Sequence, residues 1–227
     1  MVLSFSNDTG KSRLISIPRN TWVSANSSAG RIGSLYTWGG ASLIVRHVSG
    51  LLGVSIHQYV IIDMSTLAEL IDIFGGIDIY VEENMDYEDH TSGLEIHLAQ
   101  GYQHLDGNQT MGYLRFSSEK LGDVGRVQRQ QKFIKAFYAR VLQLETIAKL
   151  PAVADIFRNK IETSAEIFDS AHLANVLRRM SSDSPTTVML PGTENSMGVW
   201  EPNFKEIDTK MKELFPIQDI VDDSTEE

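Results

Sequence analysis

Three arginines and one aspartate stand close together in the stretch Tyr113 to Gln131, YLRFSSEKLGDVGRVQRQQ. They are Arg115, Arg126, Arg129 and Asp123, and two glutamines, Gln130 and Gln131, follow them. Asp123 reads as the N-cap of a helix that continues through VQRQQKFIKAFYARVLQL. On that helix Arg126, Arg129 and Gln130 stand at i, i+3 and i+4 and share one face. A helix start already favours anions through its free N–H groups and its dipole, and guanidinium forks match phosphate oxygens. Spacing alone leaves two readings open: a phosphate or pyrophosphate site, or a solvated basic helix face. The dipole disfavours cations at this end, so arginines placed there call for another reason.

The elements that must position these residues alternate along the chain. Met1–Phe5 and RLISIP, joined by SNDTGKS, read as a hairpin. Arg19 follows Pro18 at a strand end, and Arg31 closes a loop of small residues. The run 41–53 reads as a helix with His47 half-exposed. HQYVIIDM reads as a buried strand, STLAELIDIFGG as a helix capped by Ser65 or Thr66 and stopped at Gly75 or Gly76, and IDIYV as a strand. The acidic run 82–93 reads as a loop. Asp86, Glu88, Asp89 and His90 match no metal-binding loop template there. LEIHL is a strand, and GNQTMGYLRF leads as a short helix into the opening stretch. Two amphipathic helices follow Pro151, then the strand TTVMLPG and a terminal helix. The expectation is an α/β (α+β) fold, a central mixed sheet flanked by helices, in one domain over residues 1–216 with an acidic, disordered tail over 217–227.

The chain has 227 residues and a formal net charge of -10, from 20 basic and 30 acidic side chains. That balance argues against broad nucleic-acid binding, which needs many cation-to-phosphate contacts. There is no cysteine, which excludes disulfides, thiolate metal sites and a thiol nucleophile. No apolar run is long enough to span a bilayer. The first residues already read as a strand, so the natural start is expected to lie upstream.

Five blocks in order, SIPRN (16–20), YTWGG (36–40), LIDIFGGIDIYV (70–81), LAQGYQHLDG (98–107) and YLRF with GDVGRVQRQQ (113–131), resemble the LytR-CpsA-Psr family over about residues 1–216. The resemblance implies a three-layer α/β/α domain at the outer face of the cell membrane in Gram-positive bacteria. It implies a phosphotransferase that moves a glycopolymer, such as a teichoic acid or capsule, from a polyprenyl-pyrophosphate carrier to peptidoglycan. It places Arg19, Arg31, Arg115, Arg126, Arg129 and Gln130 on the pyrophosphate, with Asp123 and Arg126 as catalytic residues. It also implies Mg2+ (or Mn2+), with Asp123 as a candidate ligand or as the residue that orients Arg126. The family's other metal-holding aspartates lie at and before the first strand, where this chain begins. Two further departures are Asn20, where the family has aspartate, and Ser117, where it has a second arginine. They keep open a non-catalytic module that binds polyprenyl phosphate. The family's older names also suggest a transcription regulator, which the negative charge disfavours.

Overall fold

The computed structural model describes residues 1–6, 10–25, 28–90, 93–116, 122–165, 169–180 and 183–215. The tail expected over 217–227 and Ser117 lie outside the described residues. The chain divides into two compact units, neither continuous in sequence. The first is Met1–Pro18 with His57–Met189, and the second is Arg19–Ile56 with Leu190–Glu227.

The first unit opens with β1 (Val2–Phe5) and β2 (Ser12–Ser16), the expected hairpin, with Val2 opposite Ile15 and Phe5 opposite Ser12. The chain then enters the second unit with β3 (Trp22–Ala25), β4 (Ser28–Arg31) and α1 (Leu35–Leu52). It returns to the first unit with β5 (Val60–Ile61), α2 (Met64–Ile73), β6 (Ile77–Val81), β7 (Met85–Asp89), β8 (Leu94–Leu98) and β9 (Gly101–Leu105). Next come α3 (Gly107–Arg115), α4 (Gly122–Val141), α5 (Leu150–Lys160), β10 (Glu162–Thr163), α6 (Ser170–Arg179) and β11 (Thr186–Met189). The second unit is completed by β12 (Gly192–Glu194), β13 (Trp200–Pro202) and α7 (Phe204–Leu214).

The fold is mixed α/β, as expected. Its described strands form one three-stranded mixed sheet, in the order β1-β2-β11 with β11 parallel to β2, and several two-stranded pairs. One apolar core in the first unit gathers Ile71 of α2, Ile77, Ile79 and Val81 of β6, Leu105 of β9, Tyr113 and Leu114 of α3 and Phe133 of α4. Period-2 burial along IDIYV puts Ile77, Ile79 and Val81 on the inner face and leaves Asp78 and Tyr80 outside. The core therefore fixes α3 and α4 against the same strand pair.

Several local expectations change. HQYVIIDM is not a buried strand: only Val60–Ile61 pair, with Glu162–Thr163, and Ile62 packs instead on the Leu70, Phe74 and Val153 cluster. The cap of α2 is Asp63, whose carboxylate accepts from the Thr66 N–H at 2.7 Å. The acidic run forms the strand β7, paired with β8 so that Asp86 faces His97 and Glu88 faces Glu95. His47 is buried at 3% exposure, on the face of α1 that also carries Val48 and Leu51. That helix is broken at Gly39 and Gly40 of the YTWGG block, where Gly40 has φ 61 and ψ -158, a conformation open in practice to glycine alone.

Candidate functional site

In the first unit the arginines sit where α3 ends and α4 begins. Asp106 caps α3 by accepting from the Gln109 N–H at 2.8 Å, and Gln109 returns a bond to the Asp106 N–H, a complete capping box. Arg115 is exposed in the last turn of α3, where the helix dipole favours a cation. Helix α4 already includes Gly122 and Asp123, so Asp123 stands in its first turn instead of capping it. Its side chain lies outside the described residues.

The three residues expected on one face of α4 differ in depth. Arg126 and Gln130 are half-buried, and Arg129 is buried at 3% exposure. The Arg129 Nη2 donates to the Phe116 carbonyl, and its guanidinium lies 5.5 Å from the Phe116 ring centroid. Phe116 follows Arg115 directly, so α4 grips the end of α3 beside an exposed arginine. Gln131 extends α4 to the strand end of the SIPRN block, donating from Nε2 to the Ser16 hydroxyl at 3.1 Å.

Behind this face lies a polar cluster that the motif reading missed. Glu82 follows β6, and its Oε1 accepts from the Tyr113 hydroxyl at 3.0 Å and from the Lys132 ammonium. Its buried Oε2 has no hydrogen-bond partner among the described residues, and neither has the buried Nε of Arg129. Burial pushes the Glu82 carboxyl up, but hydrogen bonds from Lys132, its own backbone and Tyr113 outweigh it and hold the group below the usual carboxylate range. Burial raises the Tyr113 phenol far above its ordinary value, with the Glu82 charge acting the same way. Burial also lowers Arg129, against the opposing charges of Glu82, Tyr113 and Glu83, while Arg126 adds to the lowering. One sequence signal was available: Glu82 is the first charged residue after the apolar strand that packs under α4.

The second unit holds Arg19 and Arg31 on one backbone ladder. The β3–β4 pairing sets Arg31 opposite Trp22. It continues through Ile32 N–H to Thr21 at 2.8 Å and Gly33 N–H to the Arg19 carbonyl at 2.9 Å. Both arginines are exposed, and Arg31 Nη2 donates to the Met197 carbonyl at 3.4 Å. Asn20 between them is buried. Its Nδ2 donates to Glu194 Oε1 at 3.1 Å and to the Gly198 carbonyl at 2.7 Å.

Each unit thus presents exposed or half-exposed guanidinium groups on a rigid backbone, the chemistry of a phosphate receptor. Among the described residues no group of three or more His, Asp or Glu is arranged to hold a metal ion. Magnesium is commonly bound through one or two carboxylates plus waters and substrate phosphates. Asp123, one turn before Arg126 in α4, has the donor type for such a role.

A model of the LytR_cpsA_psr family matches residues 1–215. The chain is 27% identical over 224 residues to the polyisoprenyl-teichoic acid–peptidoglycan teichoic acid transferase TagV of Bacillus subtilis (strain 168), covering 94% of this chain and 57% of that protein. It is 28% identical over 167 residues to the regulatory protein MsrR of Staphylococcus aureus (strain COL), covering 72% of this chain and 50% of that protein. The crystal structure of B. subtilis TagV is similar with a TM-score of 0.76 at 25% identity, over 93% of this chain and 86% of that one. The chain spans about half the length of these two curated relatives.

Proposed function

The chain belongs to the LytR_cpsA_psr family, and from that premise we propose that it transfers a glycopolymer from a polyprenyl-pyrophosphate carrier to peptidoglycan. The observation that carries this reading is the α3–α4 junction, where exposed Arg115 and half-buried Arg126 stand on a gripped backbone. The name of the TagV relative supports the reaction class.

In the reaction a peptidoglycan hydroxyl attacks the phosphorus that bears the polymer. A new P–O bond forms to the acceptor, the bridging P–O bond breaks, polyprenyl phosphate leaves, and the hydroxyl proton is released. Such transfers depend on positioning and on neutralising charge at the phosphoryl oxygens. Arg115 and Arg126 supply that charge here, Gln130 offers a neutral donor beside them, and Arg129 backs them from the core. Arg19 and Arg31 are assigned phosphate contacts on their own hairpin. A divalent cation on Asp123 would add positive charge at the phosphates. The reading puts the reaction at the outer face of the cell membrane, although among the described residues no helix is long and apolar enough to cross one.

Binding of farnesyl pyrophosphate to the purified chain tests the site. Each charge-assisted contact contributes about 1.5–3 kcal/mol, so Arg115→Ala and Arg126→Ala should each weaken binding about tenfold or more with little change in melting temperature. Wild-type affinity in both variants would sink the reading. Asn20, where the family has aspartate, favours a second reading, a module that holds the lipid without turning it over. Transfer of labelled polymer to peptidoglycan by the same protein would exclude it.

A further inference from the structure

The buried arginine of α4 is built differently from its neighbours. Nη2 belongs to both bidentate edges of a guanidinium, and in Arg129 it already donates to Phe116. The other nitrogen of one edge, Nε, is sealed from solvent without a partner among the described residues. One face of the group lies over the Phe116 ring. Little of this side chain is left to grip a phosphate, in contrast to exposed Arg115 and half-buried Arg126. A buried cation is expensive unless it is compensated, and breaking such an arrangement exposes the full desolvation cost. The compensating charge is Glu82, a half-buried carboxylate whose charge acts on Arg129 and whose Oε2 is itself buried and unsatisfied among the described residues. Tyr113 and Lys132 pin the other oxygen of that carboxylate.

We propose that Arg129 is a positioning residue, with the half-buried Glu82 as its counter-charge, and that it sets Arg115 for the ligand by fixing Phe116 at the end of α3. The inference rests on the anion-site reading and deepens it by dividing the arginines: Arg115 and Arg126 meet the phosphates, and Arg129 holds the frame. Tyr113 couples the frame to α3 a second time, since its hydroxyl bonds Glu82 from within the same helix that ends in Arg115.

A double-mutant cycle on farnesyl pyrophosphate affinity separates the roles, because residues acting through one another give non-additive losses. The chains compared are wild type, Arg115→Ala, Arg129→Lys, the double variant and Arg126→Ala, each with its melting temperature. Arg129→Lys keeps the charge but loses the planar grip on Phe116. It should weaken binding about as much as Arg115→Ala, and the double variant should lie within about twofold of Arg115→Ala alone. Losses that multiply in the double variant would overturn the proposal, because Arg129 would then meet the ligand itself. Unchanged affinity in Arg129→Lys would overturn it too. If Arg129→Lys does not fold, Glu82→Gln replaces it in the cycle, with the same non-additive result expected and the same two outcomes decisive against it. Arg126→Ala reports on the site as a whole: wild-type binding both there and in Arg115→Ala removes the anion-site reading, whereas weakened binding together with additive losses removes only the positioning role.

Discussion

Asn20 holds its hairpin with two donated bonds, one to a carboxylate and one to a backbone carbonyl. Both partners are acceptors, so the position demands a donor. Asn20→Asp would remove both bonds and set a second carboxylate against Glu194. The expected loss of stability is about 1–3 kcal/mol, read as a lower midpoint in urea unfolding, and a midpoint equal to wild type would count against this account. The amide at this position thus has a local structural cause. The arginines were legible in the sequence because guanidinium chemistry and helical spacing are local properties. Glu82 was not. Its partners lie 31 and 50 residues away, and only the packing of α3 and α4 on β6 brings them together. The depth of Arg129 was equally hidden, since spacing assigns it to a face and says nothing about what covers that face.

At the scale of elements, α3 owes its place to a glycine. A Cβ on Gly107 would stand 2.3 Å from the Ala68 carbonyl oxygen of α2, and the Gly107 N–H donates to Asp72 at 2.7 Å. Backbone cannot yield as a side-chain tip can. Gly107→Ala should therefore separate α3 from α2 and cost about 1–3 kcal/mol, the usual range for overpacking. Because α3 ends in Arg115, ligand affinity should fall with it; full stability in a thermal melt would show that the approach is looser than drawn. Several elements were readable beforehand: IDIYV as a strand, α3 as the short helix in GNQTMGYLRF, and the end of α2 by Gly75–Gly76. β7 was not. Four of its five residues are exposed or half-exposed, so the strand carries no apolar alternation and resembles a solvated loop. HQYVIIDM failed in the opposite way: an apolar run suggests a central strand, but burial there comes from packing against helices and not from a ladder.

In the whole molecule, the chain passes between the two units three times, after Pro18, Ile56 and Met189. The family match covers residues from both units. Within the first unit β2 is the middle strand between β1 and β11, so residues 57–189 alone would leave β11 without its partner. A fragment of residues 57–189 should lack the cooperative thermal transition of the full chain in far-ultraviolet circular dichroism. A sharp transition at the full chain's midpoint would show that residues 1–18 are dispensable for this unit.

The division also distributes the chromophores unevenly. All three tryptophans, Trp22, Trp38 and Trp200, belong to the second unit, whereas six of the seven tyrosines belong to the first. Trp200 is buried and the other two are exposed, so a red shift in emission on unfolding would come mainly from Trp200. Indole fluorescence is therefore an intrinsic, label-free reporter for one half of the molecule. Compared with circular dichroism, to which the helices of both halves contribute, it tells the order in which the two halves melt.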